Sequence, residues 1–364
     1  MQAFKTFLKR LIGGAVAPLL HYGGLLSILR WFRRRLPNGR GHVLILTYHR
    51  ICDPSGPDFT FVSETLGVDP GHFEGHMRHL KRHFEVISLD EAVRAMRENL
   101  LGQRDLVVVT FDDGYYDNYA AAWPVLQALD LPATIFLATD FIEDKDIMWN
   151  DRLAPLLDQL APETARDVLR KKIPDDIYSA IHDYLSVGCD LKLAKIDALC
   201  QLFKPIADRE KHAIIDRIAA AVPDPEIRFK QPLMMNWVQI LEMYGENIGF
   251  GAHSCSHPIL SRVAEEQLER ELGESKKIIE EQIGATVEHF AYPNGGPEDY
   301  PADIGTRLSR QGYVSACTQS VGINTAETDS FFLKRLPIGD YSLPLFDLVI
   351  EFRFLAHRWF SSSN

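Results

Sequence analysis

The residues best suited to chemistry are two adjacent carboxylates, Asp112 and Asp113, and two histidines separated by three residues, His253 and His257. Such a histidine pair can bind one metal ion through imidazole nitrogens, and a carboxylate such as Asp113 can complete the ligand set. Asp112 and Asp113 can hold different roles, because successive residues at a strand end point in different directions. The combination indicates a metal site. The alternative for the two carboxylates alone is an Asp-Asp-Gly turn that only ends a core strand.

The elements that position these residues are predicted to be buried strands of a parallel sheet. Residues 106–109 form an uninterrupted apolar run that ends shortly before Asp112. Residues 247–252 form a second strand that leads to His253, and residues 42–48 form a third that ends on His49. Because ligands bind at the carboxyl ends of strands in parallel α/β proteins, we expect these side chains to face one site.

The rest of the chain repeats a strand–helix–strand rhythm, which predicts parallel strands joined by crossover helices. Asp90 is expected to cap the helix that carries Ala92 and Met96, and Gly284 is expected to end a long charged helix. Further strands are predicted at residues 86–89, 132–137, 314–317 and 331–336, and one from residue 289 onward. Further helices are predicted at residues 73–84, 119–129, 264–283 and 346–360.

Residues 141–232 change character, with several helix patterns separated by prolines and no strand pattern. We expect this segment to be a helical insertion between two strands of the sheet. It either shapes access of the substrate to the strand ends or packs as an appendage.

Composition limits the classes of function. The 364 residues carry a formal net charge of −11, which disfavours a nucleic-acid-binding protein. The charge is uneven, because residues 1–40 hold eight basic side chains and no acidic one. The five cysteines are widely spaced and form no Cys-x-x-Cys pair, a pattern that favours a reducing compartment over a disulfide framework.

Residues 11–29 carry no formal charge and are flanked by bases. We interpret residues 1–40 as a basic amphipathic segment whose helix lies on an anionic membrane surface, which would place the protein in the cytoplasm, peripheral at the inner face of the membrane. Three alternatives stay open: a spanning helix, a secretory signal, and a terminal helix packed on the domain.

Three segments resemble the ordered motifs of the polysaccharide deacetylase family, the NodB-homology domain. They are Thr110-Phe111-Asp112-Asp113-Gly114, His253-Ser254-Cys255-Ser256-His257-Pro258 and Phe290-Ala291-Tyr292-Pro293-Asn294-Gly295, and the run Leu46-Thr47-Tyr48-His49-Arg50 resembles the start of many members. The resemblance implies an α/β fold, a distorted (β/α) barrel. We divide the chain into the basic N-terminal segment 1–40, the barrel 41–140 and 233–345, the helical insertion 141–232, and a C-terminal helix 346–364.

The resemblance also implies roles for individual residues. Asp113, His253 and His257 would bind one divalent metal ion, with zinc expected and cobalt, nickel or iron as alternatives. Asp112 would be the general base, and the backbone N–H of Asn294 would stabilise the oxyanion.

Two positions depart from the family's pattern. Ala291 stands where typical members have an arginine that orients the base. No Leu-x-His occurs near the C-terminus, where typical members keep the general acid; the segment around Arg335 stands there instead. Members that resemble the poly-N-acetylglucosamine deacetylases take this histidine from the first strand, which makes His49 the candidate. His289 competes, but it begins its strand, where barrel residues usually serve stability.

The function implied is a metal-dependent hydrolase that removes N-acetyl groups from an N-acetylated sugar or polysaccharide, in surface-polysaccharide or glycolipid metabolism. The alternatives are hydrolysis of another non-peptide C–N bond on the same fold, and a carbohydrate-binding pseudoenzyme.

Overall fold

The computed structural model of the chain describes residues 12–35, 41–53, 66–170 and 173–361. Ten strands occur in these residues. In chain order they are β1 (His42–Tyr48), β2 (Arg50–Ile51), β3 (Gly67–Val68), β4 (Glu85–Val86), β5 (Asp105–Phe111), β6 (Ala133–Leu137), β7 (Ile248–Ala252), β8 (His289–Ala291), β9 (Ser315–Val321) and β10 (Leu333–Pro337).

Seven of these strands close into a parallel barrel in the order β1-β10-β9-β8-β7-β6-β5, and β5 pairs back with β1. The closing pair is the longest, with seven residues in register from His42 opposite Asp105 to Tyr48 opposite Phe111. The short strand β4 adds to β5 outside the closed barrel, and β2 and β3 form a separate small pair. The predicted α/β fold, a distorted (β/α) barrel, is confirmed.

Fourteen α-helices occur in the described residues. They are α1 (Ala17–Tyr22), α2 (Leu25–Arg35), α3 (Pro70–His83), α4 (Leu89–Arg97), α5 (Trp123–Ala128), α6 (Trp149–Leu157), α7 (Pro162–Thr164), α8 (Asp175–Leu185), α9 (Cys189–Phe203), α10 (Asp208–Ala219), α11 (Trp237–Met243), α12 (Glu265–Ile283), α13 (Ile304–Arg310) and α14 (Leu343–Ser361). Short π- or 3₁₀-helical turns lie at Ile12–Val16, Asn118–Ala122, Ile142–Asp144, Ala165–Leu169, Leu260–Arg262 and Ser330–Phe332.

Two helix ends show how local sequence sets the elements. Helix α12 ends at Gly284, as predicted, in a left-handed conformation with φ of 70°. The prediction that Asp90 caps α4 is wrong. Ser88 caps this helix and exchanges hydrogen bonds with Glu91, so the capping box Ser-x-x-Glu begins two residues earlier than expected.

Helices α6 to α10 bury their apolar side chains in a core of their own, formed by residues between 153 and 222. This core is joined to the barrel at the start of α6. There Met148 packs in a cluster with Tyr115, and the Tyr115 hydroxyl donates a 3.0 Å hydrogen bond to Asp151. The division of the chain at residues 141 and 232 stays a prediction.

The N-terminal helices pack on α14 through ion pairs. Arg30 bonds to Glu351 at 2.7 Å and also to Asp347. Arg33 bonds to Glu351 at 2.9 Å and also to Asp105, at the start of β5. Both arginines are buried. Two of the eight N-terminal bases are therefore neutralised inside the protein and are not available to an anionic surface.

Lys5, Lys9, Arg10 and Arg40 lie outside the described residues. Across the part of the chain that the structure describes, no helix combines the length and the apolar character needed to cross a bilayer.

Candidate active site

The Asp-Asp-Gly motif lies where β5 leaves the barrel. The ladder between β1 and β5 continues for one more bond, from Asp112 N–H to the Tyr48 carbonyl at 3.0 Å. The chain then turns with Asp113 at φ of 76° and Gly114 at φ of 88°. Because residues with a side chain rarely adopt a φ of 88°, the conformation of the turn favours glycine at position 114. The turn directs the Asp112 and Asp113 carboxylates to different partners.

Asp113 meets the two histidines. Its Oδ1 lies 3.4 Å from Nε2 of His253 and 3.4 Å from Nε2 of His257. The three ligand atoms lie within 4.8 Å of one another. The structure thus brings together the three residues that the sequence suggested as a metal site, from the ends of β5 and β7.

The tautomer of His253 suits metal binding. Its Nδ1 lies 2.7 Å from the Ala291 carbonyl, and since a carbonyl only accepts, Nδ1 carries the proton. The lone pair of Nε2 is therefore free to face Asp113. Ala291, whose side chain cannot replace an arginine, contributes instead through its backbone.

A buried glutamate holds the loop between the histidines. Glu271 accepts hydrogen bonds from the backbone N–H groups of Cys255 at 2.7 Å and Ser256 at 2.9 Å, and from the Ser256 hydroxyl at 2.7 Å. Glu271 is fully buried on α12. Its three bonds determine how the His-x-x-x-His loop leaves β7.

The donor set fits a divalent ion. Within the described residues, Asp113 Oδ1 is buried and has no hydrogen-bond partner, which is costly unless another group compensates it. Two imidazole nitrogens and one carboxylate oxygen at these separations match a catalytic site with three protein ligands and an open position. Asp113, His253 and His257 can therefore hold a metal ion.

Asp112 is held by an arginine from a different strand than the family's pattern suggested. Arg335, on β10, donates to both carboxylate oxygens of Asp112 at 2.7 Å, and both residues are buried. Gln319, on β9, donates to Asp112 Oδ2 at 3.2 Å. The absence of an arginine at Ala291 thus does not leave Asp112 without an orienting cation. A bidentate pair of this kind fixes the carboxylate geometrically as well as electrostatically.

His49 lies beside Asp112, with 3.9 Å between His49 Nε2 and Asp112 Oδ2. Its imidazole is largely buried. The end of β1 thus opens on the same face of the barrel as the end of β5, as the register of these strands requires.

Asn294 lines the same pocket, in the turn after β8. Its φ is 60°, which asparagine tolerates better than most residues. The turn is tied to β9 by a 2.8 Å bond from Gln319 N–H to the Gly295 carbonyl. Gln319 therefore links this turn to Asp112.

At Asp112, Asp113 and His49, burial and the neighbouring charges of opposite sign act on the pKa in opposite directions. Burial raises the pKa of Asp112, but Arg335, His253 and His49 outweigh it and hold the pKa below its usual value. Burial likewise opposes the interactions of Asp113 with the histidines, and its pKa lies well below the usual range. Burial lowers the pKa of His49, with partial compensation from Asp113 and Asp112. The carboxylates are therefore ionised at neutral pH.

These residues line a cavity of about 350 Å³ at the carboxyl ends of the strands. His49, Asp112, Asp113 and Asn294 form its barrel side. Residues of α6 and α9, from the helical segment, form the other side. Of the two expectations for this segment, an access-shaping role is therefore the one that its position favours.

His289 is not part of this constellation. It begins β8, with Nδ1 2.8 Å from the Ser315 hydroxyl and Nε2 3.0 Å from Asp90 Oδ1. Both ring nitrogens of His289 are thus within hydrogen-bonding distance of partners at the amino-terminal end of the strands, away from the cavity.

Sequence reasoning missed three residues of the site. Arg335 was noted only as standing in place of a histidine, and Gln319 and Glu271 were not singled out. The alternation of β10 contained a signal for Arg335, because Leu333 and Arg335 are two residues apart and share the buried face. Glu271 lies in a strongly charged helix, where nothing distinguishes it from exposed glutamates.

A family profile described as polysaccharide deacetylase matches residues 102–180 and 213–316, about half of the chain. YxkH of Bacillus subtilis (strain 168), whose name refers to the same family, is 31% identical over 110 residues, which cover 30% of this chain and 36% of YxkH. The chain thus matches about a third of the length of this relative.

Several solved structures, two of them of deacetylases, share the fold. The deacetylase PplD of Streptococcus pyogenes, solved in complex with acetate, aligns with a TM-score of 0.56 and 19% identity over 86% of this chain and 98% of PplD. IcaB from Ammonifex degensii aligns with a TM-score of 0.52 and 17% identity over 86% of this chain and 98% of IcaB. BC0361, a polysaccharide deacetylase from Bacillus cereus, aligns with a TM-score of 0.52 and 18% identity over 86% and 69% of the two chains.

The resemblance noted in the motifs is confirmed by the profile and the fold. This chain belongs to the polysaccharide deacetylase family.

Proposed function

We propose that this protein is a metal-dependent de-N-acetylase that removes N-acetyl groups from an N-acetylated sugar or polysaccharide, in surface-polysaccharide or glycolipid metabolism. The observation that carries the proposal is that the two aspartates contact different partners. Asp113 faces His253 and His257, while Asp112 is held by Arg335. One carboxylate is thus available for a metal and the other for proton transfer.

Asp113, His253 and His257 would hold the metal, and zinc suits this ligand set best, with cobalt, nickel or iron as alternatives. A divalent ion there would polarise an amide carbonyl and increase the acidity of a water molecule. PplD, solved with acetate, is a structural relative of this chain, and acetate is the acid that de-N-acetylation releases.

Asp112 acts as the general base. Its ionised form is favoured by Arg335, whose two bonds leave the carboxylate in one orientation. It takes a proton from the attacking water, and the backbone N–H of Asn294 would stabilise the oxyanion of the tetrahedral intermediate.

His49 acts as the general acid that protonates the leaving nitrogen. Because burial lowers its pKa, His49 is largely neutral before the reaction and must receive a proton during it. Asp112, 3.9 Å away, is the nearest group that gains one. Transfer from Asp112 to His49 after a small movement would supply the amine with its proton.

The test combines elemental analysis with acetate release from a panel of N-acetylated sugars, using wild-type protein and Asp112→Asn. Metal together with acetate release that Asp112→Asn abolishes supports the proposal. Release of another amine product from a non-sugar amide would favour the alternative hydrolase. Sugar binding without any turnover would favour the carbohydrate-binding pseudoenzyme.

We also propose that the N-terminal helices attach the protein to the inner face of an anionic membrane, in the cytoplasm. Arg30 and Arg33 of α2 point inward, and although Ala17 and Leu26 are buried, several other apolar side chains of α1 and α2 are exposed. Leu19 and Tyr22 on α1 are 74% and 77% exposed, and Leu25, Ile28, Trp31 and Phe32 on α2 are also exposed. Single exposed apolar residues are ordinary, but six of them between residues 19 and 32 favour an interaction surface.

An anionic lipid surface suits this group. Arg35 packs its guanidinium over the Trp31 ring at 3.9 Å and is exposed at the end of α2. An aromatic ring and a base at the edge of an apolar face are typical of interfacial helices. The proposal of a cytoplasmic location is based on the cysteine pattern, which favours a reducing compartment. Cys52, Cys200, Cys255 and Cys317 are free thiols in the structure.

Deleting residues 1–40 would leave Asp347 and Glu351 without their arginines, so point substitutions test the surface more cleanly. Ile28→Glu with Phe32→Glu should abolish sedimentation with anionic vesicles while acetate release from a soluble sugar persists. Leu241→Glu, an exposed apolar position on α11, is the matched control. Equal sedimentation of all variants would refute the membrane proposal.

A further inference from the structure

The helical segment gives the active-site cavity a second wall with its own chemistry. Asn150, on α6, and Gln201 and Lys204, at the end of α9, line the cavity opposite the aspartates and histidines. These three side chains offer amides and an amine, groups that can contact parts of a substrate other than the reacting acetamide.

The wall is anchored rather than loose. Trp149, which begins α6, stacks on Phe203 of α9 with ring centroids 5.8 Å apart and an interplanar angle of 12°. The buried bond from Tyr115 to Asp151 ties α6 to the turn that follows the catalytic aspartates. The position of Lys204 relative to the site is therefore set by packing on both sides.

Lys204 lines the cavity, and the exposed Arg262 lies next to it in the structure. Arg262 donates a hydrogen bond to the backbone carbonyl of Lys204. Among the described residues, neither side chain forms an ion pair with a carboxylate. Lys192 and Lys195, on the same helix α9, are by contrast paired with Asp158 and Asp183. In a chain with a net charge of −11, an unpaired lysine in the cavity lining with an unpaired arginine next to it favours an anionic ligand.

We propose that Lys204 and Arg262 form a subsite for a phosphate group carried by the N-acetylated sugar, so that the substrate is a sugar phosphate or a sugar joined to a lipid by phosphate. The inference rests on the proposed function. A phosphate can accept from the lysine ammonium and from the fork of the arginine together. Asn150 and Gln201 are placed to bind hydroxyls of the sugar. Asp197 also lines this wall and limits how much negative charge the subsite accepts.

The first experiment compares kcat/KM for N-acetylglucosamine and for N-acetylglucosamine 1-phosphate. Wild-type protein should prefer the phosphate at least about tenfold, the change expected for one charge-assisted hydrogen bond, and the preference should fall with rising salt. Lys204→Gln and Arg262→Gln should reduce the preference through KM. Asp197→Asn should increase it. Lys195→Gln, also on α9 but paired with Asp183, is the matched control.

The second experiment separates failure of the subsite from failure of the proposed activity. Titration of the sugar phosphate into metal-loaded Asp112→Asn protein, with and without Lys204→Gln, measures binding without turnover. Binding weakened about tenfold by Lys204→Gln, with no acetate release by wild-type protein from either sugar, would uphold the subsite and reject the de-N-acetylase. Equal binding, or equal kcat/KM for the two sugars, would overturn the subsite.

The same sugar linked to a lipid phosphate in vesicles distinguishes the source of the phosphate. Faster turnover of the lipid-linked sugar than of the soluble sugar phosphate, lost in the Ile28→Glu, Phe32→Glu variant, identifies a lipid headgroup. Faster turnover of the soluble compound identifies a free sugar phosphate.

Discussion

Replacing Arg335 with methionine should raise the pKa of Asp112 and slow turnover while leaving the metal site intact. Methionine keeps much of the apolar volume of the arginine stem but removes both bonds to the carboxylate, each 2.7 Å long. Arg335 contacts Asp112 and not the Asp113, His253 and His257 group, so it is a positioning residue that acts through the base.

The magnitude follows from burial. Both partners are buried, and removing one partner of a buried ion pair typically costs about 3–5 kcal/mol of stability. A loss of about 3 kcal/mol of selective stabilisation of the ionised carboxylate corresponds to a rise of about two pKa units. The arginine favours the charged form, so its removal moves the pKa of Asp112 upward. Turnover should fall by no more than in Asp112→Asn, about 10²- to 10⁴-fold.

The assay is the pH dependence of kcat/KM for acetate release, together with elemental analysis and thermal unfolding. The acidic limb should move to higher pH by about two units. Arg335→Lys should restore part of the charge effect but not the bidentate geometry. The matched control is Arg33→Met, which removes another buried, ion-paired arginine at the amino-terminal end of the barrel. It should lose comparable stability without moving the acidic limb.

An unchanged acidic limb in Arg335→Met, with metal bound and the protein folded, would show that Asp112 is not the base or that Arg335 does not tune it. The double variant Asp112→Asn, Arg335→Met separates these outcomes. If Arg335 acts through Asp112, the effects on turnover must be far from additive.

Four further changes test the site. His253→Ala or His257→Ala should each lose bound metal while the protein stays folded; elemental analysis showing normal occupancy in both would remove the ligand assignment. Asp112→Asn should keep its metal and lose about 10²- to 10⁴-fold in turnover, and loss of metal instead would reverse the roles of the two aspartates. His49→Ala should keep its metal and slow turnover at every pH, because His49 is neutral before the reaction and gains its proton within it; full activity would place the acid elsewhere. Burial raises the pKa of Asp151 to about 7, so the contribution of this carboxyl to folding stability is complete below pH 4 and is lost as the pH rises through 7. Asp151→Asn should therefore gain stability relative to wild type, by on the order of 2 kcal/mol more at pH 8 than at pH 5. A stability difference in chemical denaturation that does not change with pH would contradict this.

Much of the site could be predicted from local patterns. Asp112 and Asp113 follow a buried strand, and His253 follows another. In a closed parallel barrel all such strand ends meet at one face, whichever strands are neighbours. The convergence of these residues with His49 therefore required only the correct identification of strands and of their direction.

The orientation of the base depended on tertiary structure. Arg335 and Asp112 are 223 residues apart, and an arginine in a short strand pattern does not reveal its partner. The family's pattern drew attention to Ala291, on a different strand. The barrel interior accepts an arginine from β10 instead, because the ends of its strands surround one point.

The sequence by itself determined the parallel strands, the crossover helices and the residues at the strand ends, because these follow from spacing within a few residues. It also showed that residues 1–40 are basic and that their helix has two faces. Only the tertiary structure decided that Arg30 and Arg33 turn inward, toward Asp347, Glu351 and Asp105, and that apolar side chains such as Ile28 and Phe32 are exposed. Periodicity in the sequence defines the faces of a helix, but it does not decide which face is buried. That depends on the packing partners that the rest of the fold provides, and these lie up to 321 residues away.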